Sequence, residues 1–377
     1  MNKIKRNTLL SCVFALSVSV FAHAAPVSAP KVIIDSDYNT LSDDGQLGVM
    51  AAQLQADGKI NVLGITVVSG NQWLKQGVAD ALKSVERLGV ENQIGVYSGA
   101  NYALSHDIKT IRKELELSGK GDGYLGAWSS PEPMTEKDLK APPDGFATKA
   151  KLQSKDAVDF IVETVKKYPH EVSILAIGPL TNLAQAVHKN PEIVPLIKQI
   201  IYMGGAVDVP GNTTPTAEFN WWFDPEAAHI MVRQPIPQVI IPLDVTNTVV
   251  MDKKKYDRIV NDPAKQTIIT KMFKQLNGHG YTGTGFEEDP KSTMNIWDTL
   301  TIAYLMDPKF ATEVVTEFVD VDMNFGKNAG RSVGYRGAAP AGEKLQKVKV
   351  VKRFDNDRFF DFYTDLLTRP VPVKLSK

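Results

Sequence analysis

The chain has 377 residues, and its 43 Lys plus Arg balance its 43 Asp plus Glu, so it carries no net charge at pH 7. No basic block supplies the electrostatic footprint that a nucleic acid requires, which excludes that partner and points to a small or neutral ligand. At 43% hydrophobic and 23% charged it has an ordinary globular composition, and no Pro/Gly/Ser-rich linker divides it, so one domain is expected.

The N-terminus carries Lys3, Lys5 and Arg6, then an apolar run over residues 9–21, then Ala22-His23-Ala24. A positive region, a short apolar region and a small-residue site in that order read as a signal peptide over residues 1–24, cleaved after Ala24. The apolar run is short for a membrane span. Residues 25–377 are then the folded domain, expected in the periplasm or outside the cell with no membrane attachment after cleavage. The single cysteine, Cys12, leaves with the leader, although Leu9-Leu10-Ser11-Cys12 has the look of a lipoprotein box followed by too long an apolar run. A cysteine-free mature chain suits an oxidising compartment.

Short, continuous runs rich in Val and Ile predict buried strands over residues 31–35, 60–68, 172–177, 199–203 and 238–243. Between them, residues 44–56, 73–88, 155–167, 180–188 and 225–233 read as helices. The last has a sharp start in Asp224-Pro225-Glu226, where Asp caps, Pro is tolerated at the first helical position and Glu favours the positive dipole end. Strands alternating with helices predict an α/β fold: an open, mostly parallel, Rossmann-like sheet with helices on both faces. Ligands of such sheets bind beyond the carboxyl ends of the strands. That rim gathers Asp35-Ser36-Asp37, Ser69-Gly70-Asn71, Ile177-Gly178, Met203-Gly204-Gly205 and Asp244. The polar stretches 118–148 and 277–292 read as loops able to close over it.

Asp35, Asp37, Asp43 and Asp44 fall within ten residues at the end of the first strand. Four such carboxylates repel unless a cation holds them, and all-oxygen ligands select a hard one, calcium or magnesium. A helix N-terminus alone would account for Asp43 and Asp44, but not for Asp35 and Asp37. An Asp-x-Asp at a strand end also serves haloacid-dehalogenase-like phosphatases, which place Thr or Val where this chain has Asn39.

With its Asp-rich loop after the first strand, the sequence resembles the nucleoside hydrolase family. Further matches follow in order: Ile65-Thr66-Val67-Val68-Ser69-Gly70-Asn71, Ile177-Gly178-Pro179-Leu180-Thr181-Asn182, Met203-Gly204-Gly205-Ala206, Gly211-Asn212, Ala217-Glu218-Phe219-Asn220, Asp224-Pro225-Glu226 and Trp297-Asp298. The resemblance implies calcium-dependent cleavage of the N-glycosidic bond of a small-molecule nucleoside, by a homo-oligomer; the rival readings are a hydrolase of another N-ribosyl or related glycoside and a non-catalytic sugar- or nucleoside-binding protein. It implies that Asp37 binds the metal and accepts a proton from the attacking water, with Asp44, Asp298 and the backbone carbonyl of Ile177 as further ligands. It assigns Asp43, Asn71, Asn212, Glu218 and Asn220 to the ribose hydroxyls.

Independently of the name, carboxylates near a sugar ring stabilise the oxocarbenium character that glycosidic cleavage develops. The pattern departs from the family at Trp297, where a histidine able to protonate the leaving base often stands. An indole cannot donate that proton, but it can stack on a base, which leads us to expect a purine preference. His279 and Tyr281, in the Gly-rich loop read over residues 277–285, are the candidates for the missing acid.

Overall fold

The computed structural model describes residues 29–119, 124–279 and 285–374. The leader read over residues 1–24, Tyr281 and most of the glycine-rich stretch 119–123 lie outside them. In chain order the strands are β1 (Lys31–Ser36), β2 (Asn61–Val67), β3 (Gly95–Ser98), β4 (Val172–Ala176), β5 (Gln199–Met203), β6 (Gln238–Ile241), β7 (Val250–Met251), β8 (Met294–Asn295), β9 (Ala311–Val321), β10 (Ser332–Tyr335) and β11 (Lys347–Phe354). The helices are α1 (Asp43–Ala56), α2 (Leu74–Leu88), α3 (Ile108–Ser118), α4 (Ala157–Lys167), α5 (Thr181–Lys189), α6 (Phe219–Phe223), α7 (Pro225–Val232), α8 (Leu243–Thr246), α9 (Lys253–Val260), α10 (Ile268–Gly278), α11 (Thr299–Met306) and α12 (Asn356–Leu367).

Nine strands form one sheet in the order β10-β9-β11-β6-β5-β4-β1-β2-β3. From β3 to β11 every pairing is parallel, and within this sheet β9 alone runs against the rest, antiparallel to both its neighbours β11 and β10. The expected open, mostly parallel α/β sheet is therefore the fold. Alternation along the buried strands divides the core in two. Val32 and Ile34 pack with α1, α2 and α12 on one face, whereas Ile33 packs with α4, α5 and α7 on the other. Leu175 against Ile174, and Ile201 against Ile200, repeat the division.

Five predicted strands and five predicted helices appear within a few residues of their expected ends. The strand read over 238–243 stops at Ile241, because Pro242 has no N–H for the ladder, and Leu243 opens the short α8 instead. Asp224 caps α7 as its sequence suggests, accepting from Ala227 N–H at 3.0 Å. The β9–β11 extension was not anticipated, since β9 mixes Glu313, Glu317 and Asp320 into its valines and so lacks the apolar run of a central strand.

The central order β3-β2-β1-β4-β5-β6 reverses chain direction between β1 and β4, and a crevice opens at that switch point. Register holds the two strand ends level, with Asp35 opposite Ala176 and Ile177 N–H donating to Asp35 O at 2.8 Å. Asp37 and Ile177 leave the sheet side by side.

Candidate active site

Asp37 follows β1 directly and is 1% exposed. Its Oδ2 accepts the Asn71 backbone N–H at 2.6 Å, while its Oδ1 is buried with no hydrogen-bond partner among the described residues. Glycines make room for it. A Cβ on Gly70 would sit 2.2 Å from Asp37 Oδ2, and one on Gly178 would sit 2.6 Å from Asp37 N. The turns after β2 and β4 can approach this carboxylate only without side chains.

Asp43 and Asp44 open α1, so they also meet its positive end, as the helix reading of these two residues supposed. Asp44 is fully buried; its Oδ1 accepts from Ser36 Oγ at 2.6 Å, and its Oδ2 from Ser42 Oγ at 3.0 Å and Asn71 Nδ2 at 3.1 Å. Asp298 arrives from far along the chain, just before α11. One carboxylate oxygen from each of Asp43, Asp44 and Asp298 lies within 4.8 Å of the others. Asp43, expected on the ribose, is thus part of the densest acidic group, and Asp37 stands beside that group. Asp35 is elsewhere: its Oδ1 accepts from Thr66 Oγ1 at 2.5 Å and Asn182 Nδ2 at 2.8 Å inside the fold.

Burial and mutual repulsion shape the electrostatics. Burial pushes Asp44 up to about 7, with Asp43 adding to the rise. Asp37 and Asp298 are held well above the usual carboxylate range by burial first and then by the neighbouring carboxylates. Carboxylates this close and this dry stay protonated or take up a cation. The donor set is hard oxygen throughout, and Asp37, with its Oδ1 unpartnered among the described residues, is close enough to Asp44 and Asp43 to feel their charge, so the residues fit a divalent ion.

Beside the acids lies a cavity of about 430 Å³, lined by Asp43, Asn71, Ile177, Asn212, Glu218, Asn220, Trp297 and Asp298 among others. Its volume is that of a small-ligand site. Glu218 caps α6: its Oε1 accepts Asn220 N–H at 2.8 Å and its Oε2 accepts Gly205 N–H at 2.9 Å and Trp221 N–H at 3.2 Å. Burial raises it to about 7. Asn220 Nδ2 donates to the carbonyls of Ile177 and Met203 at 3.3 and 3.2 Å, which ties the expected sugar ligands to the expected metal ligand. Asn212 Oδ1 accepts from Phe219 N–H at 3.0 Å.

Trp297 lies at the cavity with its Nε1 buried and without a partner among the described residues. His279 does not join it. This residue follows α10, its side chain is 70% exposed, and its Nδ1 lies 3.5 Å from Glu288. Two aromatic residues are among the lining residues that the sequence reading did not assign to the site. Tyr124 donates to Asn71 Oδ1 at 3.1 Å, and its ring lies 4.8 Å from that of Phe219. Phe219 stood inside a recognised motif, and only its place between Glu218 and Asn220 hinted at the site. Tyr124 stands in a stretch of sequence without periodicity, which gave no signal at all.

A family model described as inosine-uridine preferring nucleoside hydrolase matches residues 32–361. The chain is 31% identical over 307 residues to the pyrimidine-specific ribonucleoside hydrolase RihB of Escherichia coli O9:H4 (strain HS), covering 80% of this chain and 86% of that protein. Among solved structures, the purine-preferring ribonucleoside hydrolase from Gardnerella vaginalis is similar with a TM-score of 0.70 at 26% identity, over 90% of this chain and 98% of that one. A plant nucleoside hydrolase, PpNRh1, shares the fold with a TM-score of 0.71 at 23% identity, over 90% and 99% of the two chains. This chain belongs to the nucleoside hydrolase family, whose members are N-glycosyl hydrolases.

Proposed function

We propose that the protein hydrolyses ribonucleosides to free base and ribose in a calcium-dependent reaction, as a homo-oligomer in the periplasm or outside the cell. The observation that carries this reading is the acidic group at the switch point, with Asp37 Oδ1 unpartnered among the described residues beside Asp43, Asp44 and Asp298. Asp37, Asp44, Asp298 and the Ile177 carbonyl are the proposed ligands. A calcium ion there supplies the positive charge these acids need and makes a neighbouring water more acidic.

The remaining work falls to the chain. Asp37 accepts the proton of the attacking water. Asn71, Asn212, Asn220, Glu218 and Asp43 hold the ribose hydroxyls, amides donating and accepting while carboxylates accept. Trp297 stacks on the base, and a purine gains more overlap than a pyrimidine. The names of similar proteins divide on this point, one pyrimidine-specific and one purine-preferring. Proton supply to the leaving base from His279 requires that residue to leave its exposed position beside Glu288.

The test is a panel of purine and pyrimidine ribonucleosides incubated with the purified protein, with and without a chelator, reading free base and ribose. Release that stops on chelation and returns with calcium supports the reading. Full turnover in chelated buffer, or ribose-independent binding without turnover, overturns it.

A further inference from the structure

Behind the Glu218 side of the cavity lies a second group of acids with a built-in cation. Lys352, in β11, is largely buried, and its Nζ donates to Asp244 Oδ1 at 2.6 Å and to Asp208 Oδ2 at 2.7 Å. It also lies 3.8 Å from Oε1 of Glu317 in β9. Glu317 is 1% exposed, and neither of its oxygens has a hydrogen-bond partner among the described residues. Its cationic neighbours are Lys352 and Arg336, the latter at 3.7 Å. Three carboxylates from separate parts of the chain thus converge on one ammonium. Asp208 is exposed and also pairs with Arg336, whereas the Asp244 and Glu317 side chains are buried, and without the ammonium these two would be left dry and largely unneutralised.

Asp244 turns this charge into backbone geometry. Its Oδ2 accepts Val207 N–H at 2.9 Å and its Oδ1 accepts Asp208 N–H at 3.0 Å. The pinned stretch begins at the end of β5, where it meets both proposed sugar ligands. The Met203 carbonyl accepts from Asn220 Nδ2, and Gly205 N–H donates to Glu218 Oε2. The Gly205 carbonyl in turn accepts Leu243 N–H at 2.9 Å, one residue before Asp244. Residues 203–208 are therefore held at one end by the ammonium cluster and at the other hold Glu218 and Asn220.

We infer that Lys352 is a positioning residue for ribose recognition: by neutralising Asp244, Asp208 and Glu317 it pins residues 203–208, and through them sets Glu218 and Asn220. This rests on the reading of Glu218 as a sugar ligand. A group that holds the sugar equally in ground and transition state acts on KM and leaves kcat alone.

The test compares Lys352→Met, which keeps the length and removes the charge, with Asp244→Asn and Glu218→Gln. For a ribonucleoside, Lys352→Met and Asp244→Asn should each raise KM at least tenfold with kcat within threefold. On the deoxynucleoside whose KM is least changed by Glu218→Gln, both should lose most of their effect. Hydrogen exchange of the Val207 and Asp208 amides should quicken at least tenfold in Lys352→Met. A fall in kcat at unchanged KM would mark loss of folded enzyme and overturn the inference, as would unchanged amide exchange. If Glu218→Gln raises KM and Lys352→Met does not, the inference alone fails. If Glu218→Gln leaves KM unchanged, the sugar role of Glu218 fails and the inference falls with it.

Discussion

The side-chain amide of Asn71 donates to Asp44 Oδ2 at 3.1 Å across 27 residues of sequence, while its backbone N–H donates to Asp37. One residue thus fixes two buried carboxylates, and its Oδ1 meets Tyr124 on the other side. Asn71→Ala removes the side-chain bonds and spares the backbone one. Hydrogen bonds to charged groups contribute about 1.5–3 kcal/mol, so kcat/KM should fall on the order of 10- to 100-fold. Tyr124→Phe should lose much less, and steady-state kinetics on inosine and uridine would show whether the order holds.

Asp44→Asn and Asp298→Asn should weaken calcium binding and abolish turnover together, since each removes one carboxylate from the same group. Isothermal titration beside activity assays reads both, and full activity of either variant in chelated buffer would sink the metal assignment.

Metal and pH are linked through these acids. Their pKa values in the folded protein are raised above the ordinary carboxylate value, Asp44 to about 7. Their contribution to stability is therefore fully present below that ordinary value and is lost as pH rises through the raised one. The calcium-free protein should melt lower at pH 8 than at pH 5.5, and added calcium should raise Tm more at pH 8, where fewer protons must leave. An equal gain at both pH values would place calcium elsewhere.

Removing Asn212, Glu218 or Asn220 should cost roughly 1–3 kcal/mol when the sugar hydroxyl is left buried and unpaired. Activity on a ribonucleoside should fall further than on the analogue lacking the contacted hydroxyl. Equal losses on both would return these side chains to a structural role, for which their bonds to Gly205, Phe219 and Met203 already provide a basis.

Base departure separates Trp297 from His279. Trp297→Ala should slow inosine strongly yet spare a nitrophenyl riboside, whose leaving group departs without a proton. His279→Ala should leave the ratio of the two rates within twofold of the parent, because its ring is exposed and lies beside Glu288. A ratio that shifts for His279 and not for Trp297 would reverse the assignment.

The sequence by itself carried the parallel α/β architecture, because buried strands in such a sheet must be continuous Val- and Ile-rich runs and the helices between them carry their own start signals. It also carried the acid-rich strand end and the order of the site motifs, since these lie within single short segments. Which acids meet was decided only by tertiary structure. Asp35 and Asp37 are two residues apart, yet one is hydrogen-bonded inside the sheet and the other stands at the switch point beside Asp298, which arrives from the far end of the chain. Tyr124, Lys352 and the β9–β11 extension were likewise invisible. Their roles depend on pairings across the sheet and on a loop docked over a distant helix, and contacts between residues so far apart leave no periodicity in the local sequence.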